Sequence, residues 1–158
     1  KKIFYKNENV SVSNSKIFDI YKEFDTILYL HVLEHIEEDH KELENVYKKL
    51  KKGGHLIIMV PKHQKLYSNF DKAIGHFRRY EVNFFKENLA NLKKVNLISL
   101  DSVGYVLYFL NKIFFKNEKF PSKLKIFIWD KIFTPFTIIL DFLTRYKFGK
   151  CIVTVYRK

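Results

Sequence analysis

Hydrophobic periodicity changes twice between Phe24 and Pro61, and each change marks an element. Thr26 to Leu30 is a short apolar run suited to a strand buried on both faces. Glu37, Glu38 and Asp39 then place acids where a helix begins, favourable to its dipole. Leu43, Val46, Tyr47 and Leu50 follow at i, i+3, i+4 and i+7, one apolar face of that helix. Gly53-Gly54 reads as its end, since glycine takes the left-handed conformation of a C-terminal cap. His55 to Val60 reads as a second buried strand, stopped by Pro61. Two buried strands joined by a helix predict a parallel βαβ unit with a right-handed crossover. Ligands of such sheets bind beyond the carboxyl ends of the strands. Those ends carry Tyr29, Leu30, His31 and the downstream Glu34-His35 in one case, and Pro61, Lys62 and His63 in the other.

Elsewhere the pattern is plainer. Asn9 to Ser13 alternates apolar and polar residues, as a strand does, with Asn14-Ser15 as a turn. Ile17 to Phe24 is a short helix or loop. Lys62 to Tyr80 lacks periodicity but is dense in His, Arg, Tyr and Asp, and binding groups concentrate in such loops. Phe85, Leu89 and Leu92 mark a short helix, Val95 to Leu100 a strand, and Gly104 to Phe115 an aromatic-rich helix. Pro121 to Tyr146 is a long apolar segment broken by Pro135, and Cys151 to Tyr156 is the last strand.

Composition narrows the function classes. A chain of 158 residues with 47% hydrophobic and 29% charged content is one globular domain. Cys151 is the single cysteine, which excludes an internal disulfide and fits a reducing cytoplasm. The net charge of +12 suggests anionic partners, but only four of the 29 basic residues are arginine. Base reading and phosphate clamping favour arginine's planar fork, so specific nucleic-acid binding is not expected, whereas contact with an anionic membrane surface is. The histidines show no recognised ligand spacing, so no metal is expected. Lys1-Lys2 leads into a polar stretch without the apolar core of a signal peptide. Asp130, Lys131, Pro135 and Asp141 interrupt the segment from Ile126 to Leu143, leaving it unable to span a membrane. It reads either as a packed helical lid or as an interfacial helix.

The motifs carry a resemblance. F-D-T-I at Phe24–Ile27, V-L-E-H-I at Val32–Ile36 and L-K-K-G-G at Leu50–Gly54, in that order and at that spacing, resemble the class I S-adenosylmethionine-dependent methyltransferases. Tyr67-Ser68, Asp71 and Gly75-His76-Phe77-Arg78-Arg79-Tyr80 resemble a bacterial subgroup whose members keep company with enzymes of cell-surface glycan or lipid assembly. The resemblance implies an α/β fold, a Rossmann-like methyltransferase sheet, with a helical insertion before a final antiparallel strand. Residues 1–158 would form a single partial domain: 1–100 the C-terminal part of the cofactor-binding sheet, 101–150 the helical insertion or lid, and 151–158 the last strand. The family's glycine-rich G-x-G-x-G loop is absent, and the glycines stand only at 53, 54, 75, 104 and 149. The sheet is therefore expected to be truncated at its N-terminal side, and this chain's activity to be impaired.

The same resemblance implies a site. Leu30, His31 and Val32 would face the sulfonium of S-adenosylmethionine, His35 would brace the adenosine, and Asn14-Ser15 would stand where relatives place an acid near the adenine. His31 is a candidate general base, with His63 and His76 as competitors, because imidazole titrates near neutrality. Arg78 and Arg79 either recognise an anionic acceptor group or form a structural pair with Asp71. With Tyr67, Asp71 and Tyr80 they make up the expected acceptor-binding group. The acceptor would be a small molecule or a lipid- or glycan-linked one. The alternative reading is a non-catalytic module that docks on a membrane surface or a partner.

Overall fold

A computed structural model of the chain describes residues 10–114 and 122–158. In chain order the elements are strand β1 (Phe24–Leu30), helix α1 (Asp39–Lys49), strand β2 (Leu50–Pro61), the short helices α2 (Asn69–Ala73) and α3 (Val82–Asn88), and strand β3 (Lys93–Leu100). Helices α4 (Ser102–Phe114), α5 (Lys123–Ile128) and α6 (Thr134–Leu143) follow, then strand β4 (Cys151–Arg157). The four strands form one sheet in the order β1-β2-β4-β3. β1 and β2 are parallel, with Ile27 opposite Leu56 and Leu28 opposite Ile57, and α1 is their crossover. β4 enters antiparallel between β2 and β3. β3 therefore points the same way as β1 and β2, and Leu30, Pro61 and Leu100 bring three carboxyl ends to one rim.

The core lies on one side of this sheet. Leu56, Ile58 and Val60 of β2 are fully buried, as are Leu33, Val46, Leu50, Phe85 and Ile152 around them. Leu43 and Val46 come from the apolar stripe that the sequence placed on α1. The other face is more open: Leu28 is 55% and Leu30 52% exposed, and Ile57 and Met59 are half-buried. β1 is thus buried on one face, not two. A continuous apolar run does not reveal which face receives a covering layer.

Other expectations are corrected. The alternating stretch from Asn9 to Ser13 forms no strand at residues 10–13, where Val12 is 90% exposed and no neighbouring strand pairs with it; Asn9 lies outside the described residues. The first helix ends at Lys49, before the glycines, because Leu50 already turns extended and starts β2. Phe24 pairs with Leu50 and Thr26 with His55, so Lys51–Gly54 bulge out of the ladder, and Gly53 takes the φ of +81° that the bulge requires. Pro135 does not break the apolar segment. A π-helical turn at Trp129–Phe133 joins α5 to α6, and Pro135 sits in the first turn of α6, where a missing N–H costs little. The predicted ends at Phe115 and Pro121 lie outside the described residues.

One close approach ties this helical insertion to the rim. A Cβ on Gly149 would lie 2.1 Å from the Leu100 carbonyl oxygen, so the chain entering β4 passes the end of β3 only as glycine. Ile58→Ala should cost about 2–5 kcal/mol in urea unfolding, by loss of transfer energy and by the cavity left behind. Ile57→Ala on the opposite face should cost clearly less, and equal costs would show that both faces are buried alike.

Candidate functional site

Each of the three parallel strands is followed by a residue with left-handed backbone: His31 (φ 54°) directly after β1, His63 (φ 67°) two positions after β2, and Asp101 (φ 65°) directly after β3. Such φ values are uncommon outside glycine, with His and Asp enriched, and they gather where surrounding structure over-determines the backbone. His31 keeps the ladder going one step, its N–H donating to the Met59 carbonyl at 2.9 Å. Lys62 donates from its backbone to the Lys150 carbonyl at 2.6 Å and from Nζ to Ser99 Oγ at 3.0 Å. Burial pushes the Lys62 ammonium below its ordinary pKa. His31 and Lys62 therefore stand at the ends of adjacent parallel strands.

Past His31 the chain makes a 3-10 turn at Leu33–His35. Glu34 is fully buried there, and His31 Nδ1 lies 3.0 Å from its Oε1. Cys151 on β4 and the Glu34 carboxylate push the His31 imidazole up to about 10. The Glu34 contact is the stronger physical cause, since a thiol is a weak acceptor. His35 is exposed, and its Nδ1 lies 3.1 Å from the Gly75 carbonyl. Ser15 and Val32 line one open groove of about 960 Å³ along β1, walled by Thr26, Leu28, Tyr29 and Ile36. Asn14 is exposed beside Ser15.

The loop from Leu66 to Tyr80 is organised around Asp71. Ser68 caps α2: its Oγ accepts the Phe70 N–H, and its own N–H donates to Asp71 Oδ2 at 2.9 Å. Arg79 donates to Asp71 through Nε at 2.9 Å and Nη2 at 3.1 Å, and Tyr108 of α4 donates its hydroxyl at 2.7 Å. The Arg79 guanidinium also stacks over the Tyr108 ring at 4.4 Å. Burial by itself raises the Asp71 pKa, but the bonds from Tyr108 and Arg79 outweigh it and hold the carboxyl below its ordinary range. His76 Nδ1 completes the ring of partners at 3.1 Å from Asp71 Oδ1. Burial draws the His76 imidazole below its ordinary pKa, against the pull of the Asp71 and Glu34 carboxylates.

Neighbouring arginines have different partners. Arg79 is buried on Asp71, whereas Arg78 pairs with Asp39 Oδ1 at 2.8 Å and donates to the Glu37 carbonyl at 2.8 Å, keeping 31% of its side chain exposed. Tyr80 is a core residue, 2% exposed, whose hydroxyl donates toward the Leu33 carbonyl and Asp39 Oδ2, each at 2.9 Å. Tyr67 is half-buried and donates to the His76 carbonyl at 2.6 Å. Tyr108, Ser99 and the buried role of Glu34 were not singled out by the sequence. Tyr108 and Asp71 are 37 positions apart on different elements, a separation that no local pattern spans.

Solved structures share this fold. The N-methyltransferase NodS from Bradyrhizobium japonicum, crystallised with S-adenosyl-L-homocysteine, is 14% identical with a TM-score of 0.50, over 92% of this chain and 53% of its own. A SAM-dependent methyltransferase from Archaeoglobus fulgidus is 19% identical with a TM-score of 0.52, over 87% of this chain and 60% of its own. A putative sarcosine dimethylglycine methyltransferase from Galdieria sulphuraria is 14% identical with a TM-score of 0.54, over 91% and 57%. This chain thus spans little more than half the length of those proteins, and identities this low show shared architecture alone. No curated protein matches the chain in sequence. The family model described as "Methyltransferase domain" matches residues 2–103, well over half of the sequence, and the chain belongs to that family.

Proposed function

We propose that these residues form the strand-end and acceptor side of a methyltransferase that uses S-adenosylmethionine, acting on a small-molecule or lipid- or glycan-linked acceptor that presents an oxygen. The observation that carries this reading is the parallel pairing of β1 and β2, which puts His31 and Lys62 at neighbouring strand ends in a chain of the methyltransferase-domain family. The groove beside β1 combines apolar residues such as Leu28, Val32 and Ile36 with polar ones such as Ser15, Lys41 and Glu42, a mixture that suits the flat base and the hydroxylated ribose of an adenosine.

Bound there, S-adenosylmethionine supplies a methyl group on a sulfonium that is already a strong electrophile. The protein's part is then positioning and exclusion of water. Leu30, His31 and Val32 wall the sulfonium side, Asn14 and Ser15 approach the adenine, and His35 braces the adenosine. Of the two expected bases, His76 is drawn below its ordinary pKa and is the imidazole that takes the acceptor's proton, whereas His31, pushed up to about 10 beside Glu34, keeps its own proton and contributes positive charge at the strand end. Tyr67 and the exposed end of Arg78 meet the acceptor, while Asp71, Arg79 and Tyr80 hold the loop that presents them. With no glycine-rich loop among its residues, the chain by itself holds the cofactor weakly.

An NMR titration with S-adenosylhomocysteine tests this. Resonances of Leu30, His31, Val32 and His35 should shift with an affinity near millimolar, about −4 kcal/mol. A spectrum that stays unmoved sinks the reading, and micromolar binding sinks the weak hold. The supporting role of Asp71 has its own test. Asp71→Asn should destabilise the fold by about 3–5 kcal/mol, because it strands the buried Arg79 charge. A loss below about 1 kcal/mol would instead leave Asp71 free to serve the acceptor.

A second reading concerns where the acceptor is met. Helices α5 and α6 expose Leu124, Phe127, Phe136, Ile138, Phe142 and Leu143, all between 59% and 70%, on a chain of net charge +12. No helix among the described residues is long and apolar enough to cross a membrane. An apolar face amid cationic charge suits the surface of an anionic bilayer. The chain should co-sediment with phosphatidylglycerol vesicles, and Phe136→Asp with Phe142→Asp should abolish this. Equal recovery in the supernatant with and without vesicles would remove the membrane from the account. Pelleting without any cofactor-induced shift would favour the non-catalytic docking module.

A further inference from the structure

Glu34 and His35 on the turn after β1 meet His76 from the loop after α2. One ligand atom from each lies within 4.8 Å of the other two. We propose that these three side chains bind a single divalent transition-metal ion of the zinc type. Sequence spacing gives no hint of the site, because His76 is brought to the pair only by folding.

Three observations carry the assignment. The first is the tautomer of each ring. His76 Nδ1 lies 3.1 Å from the Asp71 carboxylate, and His35 Nδ1 lies 3.1 Å from the Gly75 carbonyl. A carbonyl only accepts, so His35 must donate from Nδ1, and the ionised Asp71 imposes the same on His76. Both rings then present Nε2 as a bare lone pair. This is the arrangement in which a carboxylate or carbonyl behind a histidine orients it for a metal. The second is Glu34, fully buried, whose Oε2 has no hydrogen-bond partner. A buried carboxylate oxygen left without a partner is unfavourable, and a cation held by that carboxylate satisfies it. His31, 3.0 Å from Oε1, fixes the carboxylate's orientation from behind.

The third is the rigidity of the frame. Phe77 N–H donates to the Glu34 carbonyl at 2.8 Å and pins the loop after α2 to the turn after β1, while His76 N–H donates to the Asp71 carbonyl at 2.9 Å and steadies that loop, all before any ion arrives. The His35 and His76 rings already meet edge to face at 4.6 Å. His76 Nε2 lies 3.9 Å from Glu34 Oε1, and tetrahedral ligands at zinc distances stand about 3.4 Å apart, so small rotations close the site. Two imidazoles and one carboxylate leave a fourth position for water or a ligand oxygen. The site does not rest on the methyl-transfer reading, and an ion held by His76 Nε2 takes the place of that ring's proton-accepting role.

Titration calorimetry of the 158-residue chain with zinc chloride, and the visible absorption of its cobalt(II) form, test the proposal. One ion per chain should bind. His76→Ala, Glu34→Gln and His35→Ala should each weaken binding tenfold or more. His35 is exposed, so its replacement leaves the fold intact and the comparison stands even if Glu34→Gln fails to fold. His40→Ala, whose ring rests against Phe84, should bind as the unmodified chain does. Unchanged affinity in both His35→Ala and His76→Ala overturns the site, and so does an equal loss in His40→Ala.

Discussion

β1 and β2 hydrogen-bond side by side in the same direction, and this ladder decides where the polar groups end up. Parallel strands cannot be joined by a tight turn, so α1 must return across the sheet, laying Leu43 and Val46 over Leu56 and Ile58. β4 then fills the slot between β2 and β3 in the opposite sense, which turns β3 parallel to the first two. As a result three carboxyl ends share one rim, and the left-handed residues His31, His63 and Asp101 turn the chain there.

Around that rim the protein has buried four carboxylates, Glu34, Asp39, Asp71 and Asp141. Each would be costly alone, and their partners show how the loops are locked. Asp71 is answered by Arg79, Tyr108 and Ser68, and Asp39 by Tyr80 and Arg78. These bonds tie the loop after α2 to the turn after β1 on one side and to α4 on the other. Consecutive arginines therefore serve as two separate clasps, one deep and one near the surface. Glu34 differs: His31 is the one hydrogen-bond partner of Oε1, His76 Nε2 stands 3.9 Å from the same oxygen, and Oε2 makes no hydrogen bond.

The helical insertion behaves differently. Asp141 of α6 accepts the backbone N–H groups of Asp101 and Ser102, and Gly149 slides past Leu100, so both ends of the insertion are fastened to the end of β3. Between those clasps the helices keep large apolar side chains in solvent, as Phe142 at 70% exposure shows. That uncovered apolar face is what the proposed contact with a bilayer surface rests on.

Much of this was legible in the residues themselves. The apolar run at Thr26–Leu30, the Leu43, Val46 and Tyr47 stripe of α1 and the β-rich His55–Val60 dictate strand, helix and strand, because burial and local backbone preference act over short range. Their order, together with the E-H and G-H-x-R-R-Y motifs, also pointed to the family. What one sequence period does not encode is which side of a strand is covered. Leu28 and Ile27 look alike as letters, yet one is mostly exposed and the other buried. Nor does it encode long-range partnership. Tyr108 on Asp71, Tyr80 beneath Leu33, and His76 beside Glu34 were decided by tertiary structure alone. Those contacts are set by the closure of loops around buried charge, and the chain separations they bridge leave no local trace.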